Sequence, residues 1–155
     1  MTEPSTSPPR PQDDLQALTA GARLHHIGVV VPSLDGAATL YVAALGAMKI
    51  GDTIHDPLQR VRLLFLRLPD GLVVELIEPA SDDSPVNVAL AKGGGVNHFC
   101  FEVDDLEAEM ARLRSVSVPA GPPTTAVAFA GRRVVFMLLG RSTLIELLEA
   151  EARDR

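Results

Sequence analysis

Four residues of this 155-residue chain combine reactive chemistry with a regular spacing: His26, Glu75, His98 and Glu146. His26 and Glu75 are 49 positions apart, and His98 and Glu146 are 48 apart. Two imidazole nitrogens and two carboxylate oxygens make a donor set for one divalent cation. Such a set leaves room for water or substrate on an octahedral ion. It suits Co²⁺, Mn²⁺, Ni²⁺, Zn²⁺ or Fe²⁺ better than a soft, thiolate-rich site would. Each of the four lies in an otherwise apolar stretch, and a charged glutamate inside VVELIE or TLIELL is costly to bury unless something pairs with it. A lone histidine in a strand is usually structural, and a lone glutamate at a strand rim is usually solvated. Recurrence of both types at matched spacing sets these four apart, as an internal duplication that carries chemistry with it.

The elements that must bring them together follow from the hydrophobic pattern. His25–Val31 is apolar and β-branched and predicts a buried strand. Pro32-Ser33 breaks it, and Ser33 caps a helix over Leu34–Leu45 that Gly46 ends. Lys49–His55 predicts a strand before an Asp56-Pro57 turn, and Arg60–Leu68 and Leu72–Glu78 flank the hairpin signal Pro69-Asp70-Gly71. The second half repeats this order. Gly95–Val103 is a strand, Asp104-Asp105 starts a helix over Leu106–Ser115, and Val116–Val127 holds a proline-broken strand. Arg132–Leu139 and Thr143–Leu148 close the repeat, and superposing His26 on His98 also brings Val31 onto Val103 and Leu34 onto Leu106.

The predicted fold class is therefore α+β: two tandem βαβββ modules, residues 23–80 and 95–150, forming one cupped mixed sheet around a metal site in a single domain over 23–150. Linker 81–94 contains SPVNVALAK, which predicts a short helix capped by Ser84 with Pro85 at its first position. Residues 1–22 are rich in Pro, Ser and Thr and predict a disordered tail with a helical turn at Asp14–Ala20, while 151–155 form a C-terminal tail. Strand alternation places Glu75 on one face with Val73 and Ile77, and Glu146 with Leu144 and Leu148. His26 shares its face with Gly28 and Val30, and His98 with Cys100 and Glu102.

Other reactive side chains have simpler readings. Alternation turns His25 to the face opposite His26, in a structural role. His55 and Asp56 sit in a turn, either solvated or reaching the mouth of the site. Cys100 packs as a small apolar group. Arg132 and Arg133 are surface charge or a grip for an anionic substrate group. The net charge of −6 argues against nucleic acid or an anionic membrane as partner. No apolar run approaches the roughly 18 residues of a bilayer span. The N-terminus lacks the apolar centre of a secretory signal, and the single cysteine excludes an internal disulfide and fits a reducing cytoplasm.

Several stretches carry a family resemblance: HHIGVVVPSLDGAATLYVAALGAMKI, then VVELIEP with DDSPVNVALAKGGGVNHFCFEVDDLEA, then GRRVVF and TLIELLE. Together, over about residues 23–150, they resemble the vicinal-oxygen-chelate (glyoxalase/bleomycin resistance/dioxygenase) superfamily, and within it the methylmalonyl-CoA epimerases. The resemblance implies one divalent metal on His26, Glu75, His98 and Glu146, a homodimer, and proton abstraction beside a carbonyl. The implied enzyme is an epimerase or isomerase of a small molecule such as an acyl-CoA or other acyl thioester. Three departures stand out. Leu63 occupies a place where some epimerases carry a catalytic glutamate. Asn97 precedes the second histidine where epimerases often have another histidine. The turn Leu139-Gly140-Arg141-Ser142 replaces a His-Pro-Lys and Gly-Gly loop. Without a third-strand acid, Glu146 is the first choice of base and Glu75 its symmetric counterpart. The rival readings are a glyoxalase I-like lyase, a ring-cleaving dioxygenase, and a small-molecule binding protein without turnover. Two glutamates count against the dioxygenases, which typically use two histidines and one carboxylate.

Overall fold

Capping and turn chemistry set the first module. In the computed structural model, which describes residues 21–151, strand β1 (Arg23–Val30) runs into helix α1 (Leu34–Leu45). Ser33 Oγ accepts from the Gly36 N–H at 3.2 Å. At the other end Gly46 takes a left-handed φ of 66°, which lets the Gly46 and Ala47 N–H groups close on the carbonyls of Val42 and Tyr41. Strand β2 (Met48–Asp56) precedes the hairpin of β3 (Val61–Arg67) and β4 (Val73–Pro79), where Asp70 Oδ1 accepts from the Leu72 N–H.

The second module repeats the order with β5 (Gly95–Val103), α3 (Leu106–Leu113), β6 (Ser117–Pro119), β7 (Thr124–Thr125), β8 (Arg133–Leu139) and β9 (Thr143–Glu149), after a short α2 (Asn87–Ala91) in the linker. Asp105 caps α3 by accepting from the Ala108 N–H. The nine strands form one mixed sheet in the order β2-β3-β4-β1-β5-β9-β8-β6, with β7 also on β8. Within each module the first and last strands pair in parallel, β1 with β4 and β5 with β9, and the modules join through antiparallel β1 and β5. That order puts all four strands bearing the candidate ligands side by side at the centre.

The two faces are covered differently. Val29, Val31, Val74 and Leu76 pack with Leu34 and Ala38 of α1, and Val103, Val135, Ile145 and Leu147 pack with Leu106 of α3. The alternate residues face the other way, so the helices cover one face and leave the opposite one for the site.

Three expectations are corrected. Ser84 does not cap α2: Val86 is the cap residue, Ser84 lends only its carbonyl to the Asn87 N–H, and its hydroxyl is buried without a partner. Helix α3 stops at Leu113, two residues early, where the Val116 N–H turns back to the Leu113 carbonyl. The stretch Val116–Val127 is two very short strands, because Pro119, Pro122 and Pro123 have no N–H to extend a ladder, and a 3₁₀ turn at Val127–Phe129 follows. Apart from Gly21 and Ala22, which precede β1, the expected N-terminal tail with its Asp14–Ala20 turn lies outside the described residues.

Candidate metal centre

Glu75 and Glu146 occupy equivalent central positions of β4 and β9, and both are buried with His26 and His98 on the site face. His26 is fully buried. His26 Nε2 lies 3.3 Å from Glu75 Oε2 and 3.4 Å from Glu146 Oε2, and His98 Nε2 lies 3.5 Å and 3.4 Å from the same two oxygens. These separations exceed those of a good hydrogen bond. His26 Nε2, His98 Nε2 and Glu146 Oε2 are buried with no hydrogen-bond partner. Atoms about 2.1 Å from a common ion stand about 3.4 Å apart at tetrahedral angles and about 3.0 Å apart at right angles. The four donors therefore fit one divalent cation, which would satisfy all three orphaned atoms at once.

Electrostatics agrees with the geometry. Burial pushes both imidazoles toward the neutral form, but the neighbouring carboxylates of Glu146 and Glu75 outweigh it, raising the pKa of His26 and lifting that of His98 to about 9. Burial alone would raise the two carboxyls. The imidazoles reverse this, lowering Glu75 and bringing Glu146 to about 2. A cation bound there would take the place of the protons that the carboxylates favour on the histidines.

Aromatic rings fix the imidazoles. His26 stacks on Phe129 with ring centres 5.7 Å apart and meets Phe65 edge-on at 5.8 Å, while His98 meets Phe136 edge-on at 5.2 Å. Phe129 escaped the sequence reading, since it stands in the irregular 3₁₀ turn after the proline-rich stretch. The role of Gly28 also escaped it: its missing side chain is the space that the His98 ring fills.

His25 departs from its expected place. Leu24 pairs with Phe101 and His26 with Cys100, so His25 is an extra residue in β1. This bulge turns its ring to the site side, where His25 Nδ1 lies 2.9 Å from His26 Nδ1 and the ring meets Phe129 edge-on. Burial, then the His26 charge, lowers the His25 pKa. His25, His26 and Cys100 form a second cluster of donor atoms, but burial and the Glu146 carboxylate push the Cys100 thiol far above its usual range, and a thiol must ionise to bind a metal.

The remaining candidates are structural. Asp56 is fully buried, and its Oδ1 accepts from the Leu58 and Gln59 N–H groups to cap the β2–β3 turn, whereas His55 is exposed. Arg132 pairs with Glu102, and Arg133 with Glu107 and Glu149. A cleft of about 260 Å³ opens on the centre, with Glu75 and His98 in its wall beside Val61, Leu63, Phe136 and Leu144. Gln59 and Asn97 are its amide-bearing lining residues, and neither arginine borders it.

The sequence profile of the Glyoxalase/Bleomycin resistance protein/Dioxygenase superfamily matches residues 25–136. The chain is 33% identical over 118 residues to the ethylmalonyl-CoA/methylmalonyl-CoA epimerase of Cereibacter sphaeroides, covering 74% of this chain and 87% of that protein. Among solved structures, the methylmalonyl-CoA epimerase of Mycobacterium tuberculosis superposes with a TM-score of 0.73 at 29% identity, over 88% of this chain and 91% of that one. A variant methylmalonyl-CoA epimerase of Streptomyces coelicolor, in complex with 2-nitronate-propionyl-CoA, gives a TM-score of 0.71 at 30% identity, over 84% and 98%.

Proposed function

The chain belongs to the Glyoxalase/Bleomycin resistance protein/Dioxygenase superfamily, and on that premise we propose that it is a metal-dependent epimerase of 2-substituted malonyl-type CoA thioesters. The observation that carries this reading is the convergence of His26, Glu75, His98 and Glu146, with imidazole–carboxylate separations of 3.3–3.5 Å, beside a cleft that Glu75 and His98 line. His26 and His98 would hold a divalent ion through Nε2, and Glu75 and Glu146 each through a carboxylate oxygen. An ion held there would supply Lewis acidity for the negative charge that grows on the thioester as the α-proton leaves.

The chain's own residues do the rest. Glu146 and Glu75 are the proton carriers, taking the proton from one side of the reacting carbon and returning one to the other. Val61, Leu63, Ile77, Phe136 and Leu144 line the approach, keep water away and leave an apolar space for the 2-alkyl group. Leu63 is on that wall, so no third acid stands there. No observed feature favours a lyase or a dioxygenase over this reading.

The same reading makes the protein a cytoplasmic homodimer. Support comes from the exposed apolar side chains of α1 and edge strand β2, among them Leu40, Val42, Leu45, Met48 and Ile50. No helix among the described residues is long and apolar enough to cross a membrane. Light scattering should give twice the 16.5 kDa chain mass.

The direct test loads purified protein with Co²⁺ and follows a single epimer of methylmalonyl-CoA and of ethylmalonyl-CoA in D₂O. The expected result is inversion with deuterium uptake at the α-carbon. A fully metal-loaded protein that neither exchanges nor inverts either compound would overturn the epimerase reading.

A further inference from the structure

In a regular strand a residue and its predecessor point to opposite faces, so the residue before a ligand histidine cannot touch it. Here both predecessors do. Asn97 Oδ1 lies 3.0 Å from His98 Nδ1, and His25 Nδ1 lies 2.9 Å from His26 Nδ1. The cause is a pair of bulges in the one ladder that joins the modules. His25 is the unpaired residue between Leu24–Phe101 and His26–Cys100, and Asn97 is the unpaired residue between Gly28–His98 and Val29–Val96. One bulge lies on each strand, directly before its histidine.

We infer that His25 and Asn97 are positioning residues, held beside the ligand histidines by these bulges so that each Nδ1–H is tied and each Nε2 is presented to the metal. This rests on the metal site proposed above. An amide oxygen can only accept, so Asn97 Oδ1 requires the proton of His98 on Nδ1 and leaves the Nε2 lone pair free. Between His25 and His26 one ring must donate to the other. With the Nε2 lone pair of His26 given to the metal, the proton of that ring is on Nδ1, so His26 Nδ1–H is the donor and His25 Nδ1 the acceptor. Phe129, edge-on to His25 and stacked on His26, holds both rings in this arrangement. A ring with its outer nitrogen tied has one orientation and one tautomer, so binding the ion costs little further ordering.

Two unlike side chains thus perform the same task in the two modules, and that makes the inference testable by exchange. His25→Asn and Asn97→His keep an acceptor beside Nδ1, whereas His25→Phe and Asn97→Leu keep bulk and remove it. Co²⁺ titrations of the full chain should show His25→Phe and Asn97→Leu each weakening binding by about tenfold or more, within the range found for outer-shell partners of metal ligands. The exchange variants should stay close to the wild type. In zinc-loaded protein, the Nδ1–H protons of the His26 and His98 rings should be visible and slow to exchange with water in the wild type and the exchange variants, and should exchange much faster where the acceptor is gone. Melting curves of the metal-free variants separate this effect from unfolding. Wild-type affinity in both His25→Phe and Asn97→Leu would overturn the inference, as would equal losses in the exchange variants. If the wild-type chain binds neither Co²⁺ nor Zn²⁺, the metal site itself fails, and this inference with it.

Discussion

Gly28 and His98 pair across β1 and β5, and the space above Gly28 is filled by the His98 imidazole: a β-carbon at Gly28 would clash with His98 Cε1 and lie 2.6 Å from both ring nitrogens. The requirement is steric, since Gly28 is not among the residues with positive φ. In the other module Cys100, two residues beyond His98, pairs with His26 in the same way. Each imidazole thus lies opposite a small residue of the partner strand.

Gly28→Ala should therefore fold, because the obstacle is a side chain that can rotate, but should displace His98 from the site. Metal titration should show affinity lowered by about ten- to a hundredfold, the range for a ligand that has lost its support. Wild-type affinity would mean that the His98 ring has another way to reach the ion.

Loss of a ligand should be harsher. Elemental analysis of protein purified without a chelating tag should find about one divalent ion per chain, as a four-donor site requires. His98→Ala should remove most of it and leave Glu75 and Glu146 facing each other with only His26 between them. Unchanged occupancy would strike His98 from the ligand set.

How far could such a site be read in advance? Period-two alternation located Glu75 between Val73 and Ile77 on the site face, and Val74 and Leu76 on the helix face, because the strand there is regular. Ser33 and Gly46 bounded α1 as expected, since caps are local chemistry. The bulges at His25 and Asn97 were not legible. A bulge is a property of two paired strands, and the partner here lies some 70 residues away. The role of Gly28 was hidden for the same reason, since it depends on a ring from the other module. Phe129 was hidden by a proline-rich stretch with no period to follow.

The pH response of the metal-free chain follows from the shifted groups. His98 is raised from 6.5 to about 9, so its contribution to stability is complete below pH 6.5 and disappears as the pH rises through 9. Glu146 is lowered from 4.5 to about 2, so its contribution is present above pH 4.5 and disappears as the pH falls through 2. Metal-free protein should melt highest between about pH 4.5 and 6.5, the window common to both groups. Metal affinity should instead climb from pH 6.5 toward 9, because the ion must displace protons from the histidines. Co²⁺ titrations across that range check the second trend, and a flat profile would show that the histidines are already neutral before metal binds.

The roles of the two glutamates can be separated by asking what inversion requires. An epimerase must remove the α-proton from one side of the carbon and deliver another to the opposite side. Among the described residues lining the cleft, the titratable groups are Glu75 and His98, and Glu146 lies beside both at the ligand cluster. Two carboxylates are thus the acids at hand, one from each module, and each can serve one face of an asymmetric substrate. Glu75→Gln and Glu146→Gln keep an oxygen for the metal but lose the proton-carrying group. At full metal occupancy each should invert substrate at least about a hundredfold more slowly, the scale of losing a general base. In D₂O each variant should still take deuterium into the one epimer that its remaining carboxylate faces, and the two variants should choose opposite epimers. Starting from each pure epimer, mass spectrometry reads exchange and a chiral assay reads inversion. If Glu75→Gln inverts at the wild-type rate, Glu75 is a ligand alone. The second proton would then have to come through Glu146 or a water molecule admitted to the cleft.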